Sequence, residues 1–129
     1  MRGRGLSLAE TILAGFVLSI LMIAMFDIFP ASAVAVRRAE LQLQADAIAQ
    51  KYLETWRSKD FADLATGPVS PPPEEELYKD VVFRPAVEVF TVPGASADYL
   101  KGVRVSVSWQ YREKTFQITH EAWICNVEK

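Results

Sequence analysis

Cysteine and histidine are scarce in this chain of 129 residues, and their scarcity excludes several kinds of site. Cys125 is the single cysteine, so an intrachain disulfide is impossible and an exported domain would have to be stabilised by packing. His120 is the single histidine, and no cluster of Cys, His, Asp or Glu has metal-ligand spacing. Neither a glycine-rich phosphate loop nor a nucleophile elbow is present. We therefore expect no metal, no cofactor and no enzyme activity.

An excess of positive charge is also lacking. The formal net charge is -2, from 14 Lys and Arg against 16 Asp and Glu. A basic nucleic-acid surface is therefore not indicated. Of the two rare residues, we expect Cys125 to be small and buried near the end of a strand. We expect His120 to be a structural residue within a strand.

The N-terminal part of the chain is dominated by an apolar stretch. Residues 12–26 contain no charged side chain, and residues 6–29 are about as long as a bilayer-spanning helix. Arg2 and Arg4 precede the stretch, and the positive-inside rule then predicts a cytoplasmic N-terminus and an exported remainder. A cleaved secretory signal is the alternative, because residues 30–33 resemble a small-residue cleavage site. The apolar core is longer than that of a usual signal, however, and it leads straight into a helical pattern.

Residues 30–65 have the spacing of an amphipathic helix that continues the apolar one. One face is polar, and the other is an apolar stripe of side chains three or four positions apart, namely Leu41, Ala45, Ile48, Tyr52 and Trp56. We expect this stripe to be covered by one face of a sheet. Pro30 is predicted to bend the helix, and Gly67 to cap its C-terminus.

Residues 81–129 have the pattern of a small antiparallel sheet. Residues 103–111 and 116–124 each alternate between apolar and polar side chains, which is the period of a strand. The polar segment 112–114 between them predicts a hairpin with a short loop.

A third candidate strand covers residues 87–92, and Pro85 suggests an edge position or a strand start. Residues 66–80 are rich in proline and are expected to form an extended, solvated connector between helix and sheet. A long helix followed by a small antiparallel sheet is an α+β arrangement.

The segment Arg4-Gly-Leu-Ser-Leu-Ala-Glu10 is the most specific motif in the chain. It resembles the start of type IV pilins and of type II secretion pseudopilins. These proteins have a short basic leader ending in glycine, then an apolar residue that becomes the new N-terminus, and a glutamate at the fifth mature position. Here the leader would be residues 1–5, ending at Gly5, and Leu6 would be the first mature residue. The family usually has phenylalanine at that position, and Leu6 departs from this while remaining apolar.

The resemblance implies a set of processing steps and partners. A prepilin peptidase would cleave between Gly5 and Leu6 and methylate the new amine of Leu6. The subunit would have the ladle fold of pilins, lie in the bacterial inner membrane, and be assembled by a platform protein with other pilin or pseudopilin subunits. Inner-membrane lipid would surround the apolar helix before assembly.

Glu10 has an assembly role in this resemblance, because the family's glutamate pairs with the freed amine of a neighbouring subunit. A carboxylate in an apolar segment costs about 2.5–3.5 kcal/mol at the bilayer centre, so its position requires a reason. The residues alone leave a second explanation open, in which Glu10 lies at the cytoplasmic interface and reaches water.

Two later segments are similar to minor pilins of the PilV and GspI type. Residues 45–57 resemble their Ala- and Leu-rich helix, and residues 103–109 resemble their V-x-V-x-W strand. A single cysteine cannot form the C-terminal disulfide loop of many major pilins, which favours a minor subunit. The chain would then serve a twitching pilus, a DNA-uptake pilus or a type II secretion pseudopilus. Two rival functions are an uncleaved signal-anchored envelope protein that binds a partner and an exported enzyme.

Overall fold

The structure is a computed structural model that describes Gly5 and residues 7–127. Within that part, one helix is followed by a 3₁₀ turn and five strands: α1 Leu8–Arg57, the turn Phe61–Asp63, β1 Gly67–Pro68, β2 Glu76–Tyr78, β3 Val81–Thr91, β4 Leu100–Tyr111 and β5 Lys114–Cys125. The expected α+β class is confirmed. The chain divides into two compact units, of which the first ends at Glu40 and the second begins at Leu41.

The first unit contains the apolar half of α1, whose side chains are exposed on every side of the helix from residue 8 to residue 29. The helix continues through Pro30, although proline has no N–H to donate to the carbonyl four residues earlier. The most apolar stretch of 18 residues in α1 contains no buried residue. Among the described residues, α1 alone is long and apolar enough to cross a membrane, judged by length and composition. A signal sequence near an N-terminus meets the same criterion.

The second unit contains an antiparallel sheet with the strand order β1-β3-β4-β5, and β2 also pairs with β3. β4 pairs with β5 along the full length of both strands and with β3 on its other side. The hairpin predicted from the alternating pattern is therefore confirmed. Its loop consists of Arg112 and Glu113, which have positive φ angles of 48° and 62°.

The end of the helix and the connector differ from the sequence prediction. α1 ends at Arg57 rather than at residue 65, because the apolar stripe ends at Trp56 and the polar residues 57–60 have nothing to bury. Gly67, predicted to cap the helix, lies in β1 instead. The segment 66–80 is not a fully solvated connector, since β1 and β2 both pair with β3.

Pro85 lies in the middle of β3 rather than at its start. The N–H of Val69 donates to the carbonyl of Val87 at 2.9 Å, so odd-numbered residues of β3 direct their main-chain groups away from β4. β1 pairs with residues 88–89 and β2 with residues 81–83. The nitrogen of Pro85 therefore faces the gap between two short strands, where no donor is required.

The core of the second unit lies between one face of the sheet and residues 41–56 of α1. The predicted cover of the apolar stripe by a sheet is thus confirmed, and each fully buried large side chain contributes about 1.5–3 kcal/mol relative to its exposed state. The buried side chains come from the helix (Leu41, Ala45, Ile48, Ala49), from the chain after it (Leu64) and from β3 and β4 (Val81, Phe83, Val87, Val89, Val103, Val105, Val107, Trp109).

Polar side-chain contacts connect the helix to the outer strands of the sheet. His120 Nε2 of β5 lies 2.8 Å from Asp46 Oδ1, so the lone histidine has a structural partner. Lys51 Nζ lies 2.8 Å from Glu76 Oε1 of β2, and its hydrogen bond to Glu76 raises the pKa of Lys51. Burial, followed by the charge of Glu76, raises the pKa of the neighbouring Tyr52.

Cys125 is exposed, which corrects the expectation that it is buried. The inward side chains of β5 are even-numbered, from Phe116 to Ile124, and each is half-buried. Odd-numbered residues of the strand point to the outer face, because side chains alternate along a strand. The position of Cys125 in this alternation therefore decides its exposure.

Candidate processing and assembly segment

The candidate functional site is the N-terminal end of α1, where the sequence placed Gly5, Leu6 and Glu10. Leu6 and residues 1–4 of the predicted leader lie outside the described residues. Gly5 is exposed and lies outside the helix. Beyond its chain neighbours, no heavy atom lies within 4 Å of the position that a Cβ on Gly5 would occupy. On that side, no other described residue blocks access of another molecule to Gly5.

Ser7 determines where the helix begins. Its Oγ accepts a hydrogen bond from the N–H of Glu10 at 3.2 Å, and its carbonyl accepts one from the N–H of Thr11 at 3.1 Å. This is the geometry of an N-cap residue, with Glu10 at the third helical position. The spacing Ser7-x-x-Glu10 is that of a capping box, and this sequence signal identifies Ser7 as the cap residue.

Glu10 has two chemically separate groups at this site. Its main-chain N–H is occupied by Ser7, while its side chain forms no hydrogen bond or ion pair with any other described residue. The side chain is exposed in the first turn of α1, beside a shallow apolar groove along Leu13, Ala14 and Val17. A carboxylate in the first turn is stabilised by the helix dipole by about 0.3–1 kcal/mol. The carboxylate can therefore support the helix start, pair with an external cation, or do both.

The structure brings Ser7 and Glu10 together and leaves Gly5 just ahead of the capped helix. Within residues 7–127, no group of three or more His, Cys, Asp or Glu residues lies close enough to hold a metal ion. A groove of about 960 Å³ in the second unit has Lys101 in its wall, and the Nζ of Lys101 donates to the carbonyl of Leu64 at 2.7 Å. This hydrogen bond gives the side chain of Lys101 a structural role, in which it holds the chain that follows α1 against β4.

No protein-family model matches this chain, and neither a characterised protein nor a solved structure shows a significant match to it. The function is therefore argued from the motif and from the geometry of the described residues.

Proposed function

We propose that this chain is a type IV pilin-like subunit, a minor pilin or pseudopilin cleaved between Gly5 and Leu6 and methylated at the new amine of Leu6. The observation that carries the proposal is the Gly5-to-Glu10 segment at the start of a long helix whose apolar half is exposed on every side. The exposed glycine lies ahead of the capped first turn, which is compatible with a protease acting at the membrane surface.

The same proposal assigns a place to each unit of the chain. Residues 6–29 would anchor the protein in the bacterial inner membrane, with the N-terminus in the cytoplasm. The second unit would be exported, and helix and sheet together would form the ladle fold of pilins. The exposed apolar half of α1 supports this assignment, because water would disfavour such a surface.

Glu10 is the proposed assembly residue. Its cap contact uses only the main-chain N–H, so the carboxylate stays available to pair with the amine of Leu6 in a neighbouring subunit. An opposite charge nearby favours the ionised form of both groups where water is excluded. Such a pair would set the stagger between adjacent helices.

The partners follow from these steps. They are the prepilin peptidase, other pilin or pseudopilin subunits, the assembly platform protein and inner-membrane lipid before assembly. The subunit would act as a structural component of a pilus or secretion filament and not as an enzyme. Nucleic acid is not among the proposed partners, given the net charge of -2.

One observation favours a second candidate, an uncleaved signal-anchored envelope protein whose exported domain binds a partner. The hydrogen bond from the N–H of Glu10 to Ser7 gives both residues a role at the helix start that requires no neighbouring subunit. In that case the chain would keep residues 1–5.

Intact-mass analysis of protein from native membranes tests the proposal. We expect a chain that begins at Leu6 and carries one added methyl group. The variant Gly5→Leu, which places a bulky side chain beside the scissile bond, should retain the leader. A wild-type chain that retains residues 1–5 would favour the uncleaved envelope protein, and one that begins after Ala33 would identify a secretory signal.

A further inference from the structure

A groove on the first turns of α1 has a carboxylate at one end and apolar side chains along the rest of its wall. It is called here the Glu10 groove and measures about 410 Å³. Its wall consists of Glu10, Leu13, Ala14, Val17, Leu18 and Leu21. These residues lie three or four positions apart and share one face of the helix. Each of them is exposed, so the described chain leaves this face uncovered.

Ala14 forms the deepest point of the groove, because it has the smallest side chain in the wall. It follows Glu10 by four residues, which places it beside Glu10 and about 6 Å further along the helix axis. Its methyl group lies among the longer side chains of Leu13, Val17 and Leu18. The Glu10 groove can therefore bind a molecule that has a positive charge and, about one helical turn away, an aliphatic group.

The apolar half of α1 contains no positive side chain that a second copy could bring to Glu10. Residues 5–36 include neither lysine nor arginine. Two copies anchored in the same membrane with the same orientation lie parallel, so the apolar half of one faces the apolar half of the other. Cleavage between Gly5 and Leu6 would create a positive charge in this segment, the amine of Leu6. Leu6 also carries an aliphatic side chain on the same Cα, and so supplies both groups that the groove matches.

We propose that the Glu10 groove binds the cleaved N-terminus of a second copy, with the amine at Glu10 and the side chain of Leu6 over Ala14. This inference rests on the proposed cleavage, and it adds to the pair of charges a site that selects the size of the first residue. The contact is heterologous, because the groove of one copy binds the end of the next, and repetition of such a contact extends an open assembly. Ala14 is thus the residue that determines the specificity of this contact.

Disulfide cross-linking between two differently tagged copies in native membranes tests the contact. Cys125→Ser first removes the single cysteine, which is exposed. One copy then carries Leu6→Cys and the other Ala14→Cys, and added diamide oxidises the two thiols to a disulfide. Ile12→Cys replaces Ala14→Cys in the control, because residue 12 lies about 200° around the helix from residue 14. We expect about tenfold more cross-linked dimer with position 14 than with position 12, since a disulfide requires Cα atoms within about 7 Å.

The uncleaved variant Gly5→Leu is a second control for the cross-link. Without cleavage Leu6 has no free amine, and the nearest positive charge of a second copy is that of Arg4, at the end of a long side chain. We expect the cross-link between positions 6 and 14 to be lost. Its persistence would show that the amine of Leu6 is not the group that binds Glu10.

An exchange of side-chain volume tests the role of Ala14. Ala14→Leu in both copies fills the groove and should lower their co-isolation from detergent-solubilised membranes by about tenfold. Leu6→Ala added to the same chains should restore co-isolation, because the total volume at the contact is then conserved. Ser19→Leu is the matched control, since Ser19 lies on the opposite side of α1 and its substitution leaves the groove unchanged. We expect wild-type co-isolation for this variant.

Intact-mass analysis separates the inference from the proposed function. Each variant other than Gly5→Leu should begin at residue 6, and retention of residues 1–5 would contradict the proposed cleavage itself. Cleaved chains that give no cross-link at position 14, or as much at position 12, would overturn the inference and leave the cleavage standing. A cross-link from position 14 to a different protein alone would also overturn it, by identifying another occupant. The same holds if Ala14→Leu leaves co-isolation unchanged or if Leu6→Ala fails to restore it.

Discussion

Glu10 illustrates at the residue scale how one position can carry two separable roles. Its N–H completes the cap made by Ser7, and its carboxylate has no partner among the described residues. Glutamine at this position keeps a side chain that is compatible with a capping box but removes the charge. Substitution can therefore distinguish a contribution to the helix start from a contribution to assembly.

We expect Glu10→Gln to be inserted and cleaved normally but to enter filaments poorly, because a neutral amide cannot pair with the amine of a neighbour's Leu6. Glu10→Ala should behave in the same way. The measurement is the amount of subunit in sheared filaments relative to the membrane pool. Incorporation of Glu10→Ala at the wild-type level would favour the alternative in which Glu10 lies at the cytoplasmic interface and reaches water.

Ser7→Ala is the matched control for this comparison. It removes the cap and should destabilise the first helical turn by about 1 kcal/mol, but it leaves the charge of Glu10 in place. We expect filament entry near the wild-type level. A loss as large as that of Glu10→Gln would instead place the defect in the helix start.

At the scale of single elements, the β4–β5 hairpin contains the clearest local strain. Arg112 and Glu113 have φ angles of 48° and 62°, a conformation that non-glycine residues adopt at a cost. Two-residue hairpin loops of this kind favour Asn-Gly. The double substitution Arg112→Asn and Glu113→Gly should therefore raise the free energy of unfolding by about 1 kcal/mol and the melting temperature by about 4–8 °C.

Thermal unfolding of the second unit measures this effect. The pair Arg112→Gln and Glu113→Gln is the control, because it removes the same two charges without improving the preference for positive φ. It should leave the melting temperature unchanged. An equal rise in both double variants would attribute the gain to surface charge and not to the backbone.

The elements that the sequence predicted well are those with a repeating pattern. The hairpin was visible because residues 103–111 and 116–124 alternate, and the buried stripe of α1 because its members lie three or four positions apart. β1 and β2 were missed because strands of 2 and 3 residues are too short to show a period. They form only through pairing with β3, which is a tertiary effect.

The candidate site was predictable in part for the same reason. A fixed motif identified Gly5, Leu6 and Glu10 as residues to examine, but it did not show that Ser7 holds the N–H of Glu10. The burial of Cys125 was predicted wrongly from its residue type. The alternation along β5 assigns it to the outer face, and that pattern was a better guide than the usual burial of cysteine.

At the scale of the whole molecule, the buried core is confined to the second unit. Among the residues that the structure describes, every buried hydrophobic one lies at or after Leu41. A fragment from about Ala31 onwards should therefore fold as a soluble monomer, because it keeps the whole core and removes the apolar half of α1. Size-exclusion chromatography and circular dichroism would test this expectation. An unfolded or aggregated fragment would show that the second unit depends on residues before Ala31.

The same fragment tests the structural role of Cys125. The thiol is exposed and has no second cysteine with which to pair. Added reductant should leave the melting temperature unchanged, since no disulfide supports the fold. A large decrease would indicate that a bond between two chains through Cys125 stabilises the fragment.

The solitary exposed thiol also makes the native chain a reporter of membrane sidedness. Cys125 lies in the second unit, on the side of the anchor proposed to be exported. A maleimide that cannot cross membranes should label it in spheroplasts with an intact inner membrane. Labelling that required permeabilisation of that membrane would place the second unit in the cytoplasm and reverse the proposed orientation. Because the sequence contains no other cysteine, this result needs neither an engineered tag nor a mutation.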